Sequence, residues 1–282
     1  MLRYTLIVAF TDKKCELTMN IDDFQYMWRG KIIRDALIEE AGLLAEVDIV
    51  KSDSGTALLL LHGFASSPAI YRELIPKLDC YDRIYCPVLP GHAESIQAFA
   101  KCSSYEWVQT ALHSFEMLSK NYAKVDVLGL SLGGLLASIV ASVYTPNHLY
   151  LLAPALKLYG MTGLRLFGAK LLLAFGLQQI SNKAGDFYID KYQELTYKKL
   201  PVHAIIEILN LVKNNQLSPI ICQTDIFLGR HDSVVDSKAI EKIFHNKENT
   251  KIHWLDNSAH ILPLDGDIQV IIDGILQNQK NS

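Results

Sequence analysis

The segment from Lys124 to Tyr144, KVDVLGLSLGGLLASIVASVY, limits the fold more than any other part of the chain. Val125, Val127, Leu128 and Leu130 make a short apolar run of the kind that forms a buried strand, and a helix-forming stretch follows at once. Between them the string Gly129, Leu130, Ser131, Leu132, Gly133 fits GxSxG, the pattern of a serine held on a strained strand-to-helix turn. The glycines answer a steric need, since the backbone must bend sharply there and the next helix must approach the sheet closely. Gly133, Gly134, Ala137, Ser138 and Ala141 keep one side of that helix thin. Five letters alone carry little weight. The strand before them and the helix after them supply it.

Around this unit, strands and helices alternate. Thr56 to Leu61 reads as a continuously apolar strand ending in His62, Gly63 and Phe64. Arg83 to Val88 is a second strand closing on Pro90, Gly91 and His92, and His148 to Ala153 a third. Helices are expected from Pro68 to Leu78 and from Ser104 to Asn121, where Trp107, Leu112, Phe115 and Leu118 recur at helical spacing. Such alternation specifies an α/β fold with a largely parallel sheet and helices on both faces. Between Ala155 and Gln216 the rhythm breaks: no strand is expected, and LRLFGAKLLLAFGL and DFYIDKYQELTYKKL read as helical. An insertion of that size between sheet strands forms a lid over the strand ends. The pattern resumes with a strand from Pro219 to Leu228, a helix from Ser237 to His245, the strand KIHWLD from Lys251 and a last helix from Ile268 to Leu276.

The chain therefore divides into an N-terminal extension over 1–50, a first core part over 51–154, a cap insertion over 155–216 and a second core part over 217–282. In the extension, Tyr4 to Phe10 and Cys15 to Met19 read as strands about a TDKK turn. Asp22 to Glu46 reads as a helix through Phe24, Met27, Ile32, Leu37, Ala41 and Leu44. It holds no recognisable chemistry, and a packing role is the favoured reading.

A serine hydroxyl needs a base within hydrogen-bond reach and a third group that fixes the tautomer of that base. Ser131, Asp232 and His260 supply all three, the last two in loops that follow successive strands. Singly, Asp232 could cap a helix and His260 could be a satisfied loop histidine; together with an HG loop on the same sheet edge they read as a triad. Asp225 and Asp236 are rival acids, Asp225 at the wrong end of its strand and Asp236 placed to cap a helix. The oxyanion of an acyl-transfer transition state would be met by the N–H of Leu132, next after the nucleophile, and by that of Phe64 in the HG loop. His92 has two readings, general base and loop anchor, and the anchor is favoured. This chemistry requires no metal and no cofactor.

Composition narrows the partners. A net charge of −3 gives no electrostatic reason to bind nucleic acid or an anionic membrane. No apolar run reaches the roughly 18 residues that span a bilayer. The five cysteines are scattered without metal-ligand spacing, as expected of reduced thiols in an intracellular protein. Arg3 and the apolar YTLIVAF after it echo a secretory signal, but Asp12, Lys13 and Lys14 follow without a small-residue cleavage site, so a cytoplasmic location is expected over secretion.

HGF at His62, PVLPGH at Pro87, GLSLGG at Gly129, GRHDSVV at Gly229 and NSAHILPLD at Asn257 together resemble the bacterial carboxylesterase and monoacylglycerol-lipase branch of the α/β-hydrolases, from about Leu58 to the C-terminus. The resemblance implies the α/β-hydrolase fold with a helical cap, nucleophile Ser131, acid Asp232, base His260 and oxyanion donors Phe64 and Leu132. It implies a serine hydrolase of carboxylic esters with small to medium acyl chains, working through an acyl-enzyme on a small-molecule ester with an apolar acyl chain. The alternatives are a thioesterase or amidase with the same residues, and a non-catalytic binding protein on the same fold. Two features depart from the family: Ala93 stands where a second glycine is frequent, and a polar CQTD leads into the acid strand. In the cap, Leu158, Met161, Leu164, Phe167, Leu171, Leu172 and Phe175 are too apolar for a solvated lid, and some are expected to face the cleft. The sequence carries no signal of oligomeric state.

Overall fold

In the computed structural model, which describes residues 19–160, 162–215 and 219–280, the strand that precedes Ser131 is the middle member of a seven-stranded sheet. In chain order the strands are β1 (Phe24–Trp28), β2 (Lys31–Asp35), β3 (Val47–Val50), β4 (Thr56–Leu61), β5 (Arg83–Cys86), β6 (Lys124–Leu130), β7 (His148–Leu152), β8 (Gln179–Ser181), β9 (Glu194–Tyr197), β10 (Lys199–Pro201), β11 (Gln223–Gly229) and β12 (Thr250–Leu255). The helices are α1 (Ala41–Leu44), α2 (Ile96–Phe99), α3 (Ser104–Ser119), α4 (Leu132–Val143), α5 (Thr162–Ala174), α6 (Val202–Asn214), α7 (Ser237–Phe244) and α8 (Ile268–Lys280).

The main sheet runs β12-β11-β7-β6-β4-β5-β3, parallel throughout except for β3, which pairs antiparallel with β5 at the edge. From Ala57 to Leu61 in β4 and throughout β7, consecutive side chains are buried although they point to opposite sides, so both faces of the sheet are covered. The α/β-hydrolase architecture expected from the sequence is therefore present. Pro76 interrupts the helix expected from Pro68 to Leu78, leaving two single-turn 3₁₀ pieces, Pro68–Tyr71 and Ile75–Lys77.

Two further expectations are corrected. The first is the helix over Asp22 to Glu46. That stretch folds instead as the antiparallel β1–β2 hairpin, and only Ala41–Leu44 is α-helical. Arg29 at φ 46° and Gly30 at φ 70° form its tip, and two successive positive φ values suit the twist of a two-residue hairpin. Ile32 and Leu37, which the helical spacing would bury, are exposed. The strands assigned to Tyr4–Phe10 and Cys15–Met19 lie outside the described residues, except for Met19.

The second correction concerns the cap, which contains strands. β8 pairs with β10, and β9 pairs with β1 through Phe24 to Tyr197, Gln25 to Thr196, Tyr26 to Leu195 and Met27 to Glu194. The beginning of the chain and the insertion thus share one three-stranded sheet, ordered β2-β1-β9. A separate small core fastens α5 to α6 through Leu166, Ala169, Val202, Ile206 and Leu209.

Candidate active site

β6 delivers Ser131 with φ 55° and ψ −114°, a conformation that a non-glycine residue holds only under constraint. Backbone bonds impose it. The Ser131 N–H donates to the Leu152 carbonyl at 3.0 Å, and the Ser131 carbonyl accepts from Ala155 at 2.9 Å and Leu135 at 3.1 Å. A Cβ on Gly129 would overlap the Gly133 carbonyl, and one on Gly133 would overlap the Leu61 carbonyl, so both glycines are needed for α4 to close on β4. Tyr71 ties the same strand ends together, donating to Leu61 O at 2.7 Å and accepting from Leu130 N at 3.1 Å.

Because β6, β7, β11 and β12 are parallel, their carboxyl ends share one edge, and β11 and β12 lead there to Asp232 and His260. The His260 Nδ1–H donates to Asp232 Oδ2 at 2.8 Å, with side-chain exposures of 6% and 0%. Asp232 Oδ1 accepts from the N–H groups of Val234 and Val235, both at 2.8 Å. Two donors on Oδ1 fix which oxygen meets the imidazole; the ring proton then sits on Nδ1, and Nε2 is left as an acceptor. Burial opposes the charged imidazole, but Asp232, by charge and hydrogen bond, with Asp186 and Glu194 behind it, outweighs burial and raises the His260 pKa above the ordinary value. Among the hydrogen bonds of the described residues none joins Ser131 Oγ to His260. Such bonds are often long without substrate and tighten with it.

The HG loop closes on the serine: a Cβ added to Gly63 would stand 3.6 Å from Ser131 Cβ. His62 holds this loop, its Nδ1–H donating to Gly63 O at 2.9 Å and its Nε2 accepting from Leu89 N at 3.0 Å. Full burial keeps this ring neutral, with its pKa lowered to about 4. The Phe64 ring packs on His92, Phe99 and Trp107. Leu132 opens α4, where the first N–H groups have no intrahelical acceptor. The two expected oxyanion donors thus lie in the segments that meet at Ser131.

His92 is fully buried, with Nδ1 donating to Pro90 O at 3.3 Å, and burial holds its pKa well below the ordinary value. Among the described residues no carboxylate bonds to it, so it sits as the loop anchor. Ala93 beside it takes φ 55°, the conformation a glycine would hold without strain. Asp225 lies near the amino end of β11, bonded to His148 at 2.7 Å and to His253, and Asp236 caps α7 by accepting from Ala239 N at 2.9 Å. Neither rival acid stands beside His260.

Three acids that hold the site were not anticipated. The Asp186 carbonyl accepts from the N–H groups of His260 and Ile261 at 3.1 and 3.2 Å, while its carboxylate accepts from Ser233 N at 2.9 Å. Buried Asp265 accepts from Ala259 N and Tyr188 N, each at 2.8 Å, and from Ile189 N at 2.9 Å, strapping the histidine loop to the cap. Glu194 on β9 is buried and accepts from Gly185 N at 2.8 Å; burial raises its pKa. An aspartate inside the apolar run ILPLD was the one local sign, for Asp265; the other two lie in the cap and carry no motif.

The apolar residues of the cap are largely unpacked. Leu164, Phe167, Leu171, Leu172 and Phe175 on and just after α5 are exposed, Phe175 at 82%, so these five side chains are not taken up by packing between cap helices. Leu158 is partly buried against the core, and Met161 lies outside the described residues. Among the described residues no helix is long and apolar enough to cross a membrane.

Comparison with known proteins adds the family. The sequence model of the alpha/beta hydrolase family matches residues 58–269. A thermostable monoacylglycerol lipase of Bacillus sp. (strain H-257) is 26% identical over 251 residues, covering 85% of this chain and 96% of the relative. Monoacylglycerol lipase abhd6-B of Xenopus laevis is 23% identical over 242 residues, covering 74% of this chain and 71% of its own. Among solved structures, one from a study of the metagenome-derived lipolytic enzymes LipS and LipT superposes with a TM-score of 0.74 at 24% identity, covering 85% of this chain and 98% of that one. The monoacylglycerol lipase of Paleococcus ferrophilus superposes with a TM-score of 0.66 at 15% identity, covering 84% and 98%.

Proposed function

Because the chain belongs to the α/β-hydrolase family and is a carboxylic-ester hydrolase, we propose that it cleaves esters of small to medium acyl chains, monoacylglycerols among them, through an acyl-enzyme on Ser131. The observation that carries this reading is the buried pair of Asp232 and His260 at 2.8 Å, on the same sheet edge as a serine held at φ 55°.

The steps follow from the chemistry of those groups. His260 Nε2 takes the Ser131 hydroxyl proton as Oγ attacks the ester carbonyl, and Asp232 keeps the Nδ1–H in place and stabilises the imidazolium. The negative charge that develops on the carbonyl oxygen is met by the N–H groups of Leu132 and Phe64, which need no reorganisation because their segments are already packed. His260 then gives its proton to the leaving alcohol, and water admitted by the same route releases the acid. A cytoplasmic location belongs to the same reading, supported by the free thiols of Cys80, Cys86, Cys102 and Cys222.

Labelling with a fluorophosphonate and mapping the modified peptide tests the assignment. The label is expected on Ser131, with ester turnover lost in proportion. A label elsewhere, or a fully active protein after labelling of Ser131, would remove the proposed nucleophile.

A further inference from the structure

Three segments far apart in the sequence meet around a cavity of about 470 Å³: the hairpin tip with Arg29 and Gly30, the cap loop with Lys183 and Tyr188, and the acid loop with His231 and Ser233. Ser131 and His260 are not in its lining. Its volume falls within the roughly 300–1,000 Å³ of small-molecule sites. One of the three segments, the hairpin tip, lies outside the family match at residues 58–269.

The cavity sets two cations, Arg29 and Lys183, against one carboxylate, and Arg29 is held in place. The Arg29 guanidinium donates from Nε to Phe187 O at 2.9 Å and from Nη2 to Tyr188 O at 2.6 Å, and it lies 4.8 Å from the centre of the Trp28 ring. Carbonyls and a ring hold a cation in place without cancelling its charge. Among the described residues neither Arg29 nor Lys183 is in an ion pair. Asp186 is the one acid in the lining; its carboxylate accepts from Ser233 N at 2.9 Å and keeps its charge, so the two cations leave a net positive charge of one. Beside the cations stands a flat wall, where the Tyr188 and His231 rings stack at 4.2 Å and 14°. Val234 adds an apolar edge.

We propose that this cavity binds a small organic anion, a carboxylate or phosphate monoester on an aromatic body. Arg29 and Lys183 hold the anionic oxygens, and the ring lies along the Tyr188 and His231 stack. A guanidinium pre-positioned by its carbonyl bonds loses little freedom when it takes up an anion. The bound molecule would join hairpin, cap and acid loop, and His231 and Ser233 are the immediate neighbours of Asp232.

Calorimetric titration of the full chain tests this with phenyl phosphate, benzoate, inorganic phosphate and neutral benzamide. Phenyl phosphate and benzoate are expected to bind saturably, and benzamide and inorganic phosphate at least about tenfold more weakly, since each lacks one half of the recognition. The ratio of phenyl phosphate to benzoate affinity distinguishes the two anions. Lys183→Gln, at an exposed position, should weaken both by about tenfold, and added salt should weaken them further. Blocking the catalytic serine with a fluorophosphonate should leave the affinity unchanged, which separates this site from the proposed triad. No saturable binding at millimolar concentration, equal binding of benzamide, unchanged affinity in Lys183→Gln, or loss of binding on blocking the serine would each overturn the proposal.

Discussion

Replacing Asp232 by Asn probes the site more sharply than removing the side chain, because the structure dictates how the amide must sit. Oδ1 faces the N–H groups of Val234 and Val235, so the Asn oxygen takes that place and the NH₂ is turned toward His260. Nδ1 must then accept, the ring proton moves to Nε2, and the atom that should receive the serine proton already carries one. The wrong tautomer costs on the order of 10⁴ in kcat where this arrangement has been dissected, about 5.4 kcal/mol of barrier. Stopped-flow or plate-reader hydrolysis of p-nitrophenyl butyrate should show that loss with KM little changed. The pH profile adds a second readout. In the proposed mechanism His260 acts in its neutral form, so activity of the parent should rise with pH through the His260 pKa, which is raised above its ordinary value. In Asp232→Asn, burial is no longer outweighed and the acid limb moves to lower pH. For the same reason, stability from this coupling is full below the unfolded histidine pKa and lost as pH rises through the folded one. Asp225→Asn, on the opposite sheet edge, should leave kcat near the parent value. Parental kcat in Asp232→Asn, or an acid limb that does not move, would refute this account of the acid.

Two further outcomes follow from the strained turn and the cap. Ser131→Gly should abolish turnover while raising the stability measured by urea unfolding by about 1 kcal/mol, because glycine holds φ 55° without the cost of a Cβ; Ser131→Ala should lose turnover without that gain. A p-nitrophenyl ester series should show kcat/KM rising from acetate to hexanoate by up to about fourfold per methylene, the equivalent of about 0.8 kcal/mol, if the exposed apolar residues of α5 receive the acyl chain. A profile that falls with length would take the lipid-like substrate out of the reading.

What the sequence made legible was whatever depended on neighbours a few residues away. The turn at Ser131 needs glycines at Gly129 and Gly133, and those glycines are in the motif itself. The loops of Asp232 and His260 follow apolar strands whose direction could be read from alternation. The hairpin was hidden because Phe24, Met27 and Ile32 fit a helical spacing as well as a strand, and only the pairing of β1 with β9 decides between them. The cap strands were hidden for the same reason: Glu194–Tyr197 is extended because of a partner near the start of the chain. Asp186, Glu194 and Asp265 hold their positions by accepting backbone N–H groups from other segments, and no spacing rule encodes an acceptor for a distant main chain.

The shared sheet of β1 and β9 has a consequence for how the molecule is made. Synthesis releases the hairpin well before the cap, and the strand that completes its sheet ends at Tyr197, behind most of the main sheet. Pairing of such high contact order forms slowly, and until it forms β1 is an open edge rich in buried-type side chains. The hairpin and cap sheet should therefore be the last part of the protein to become protected during refolding, and the nascent chain is most open to wrong strand pairing while β1 still waits for β9.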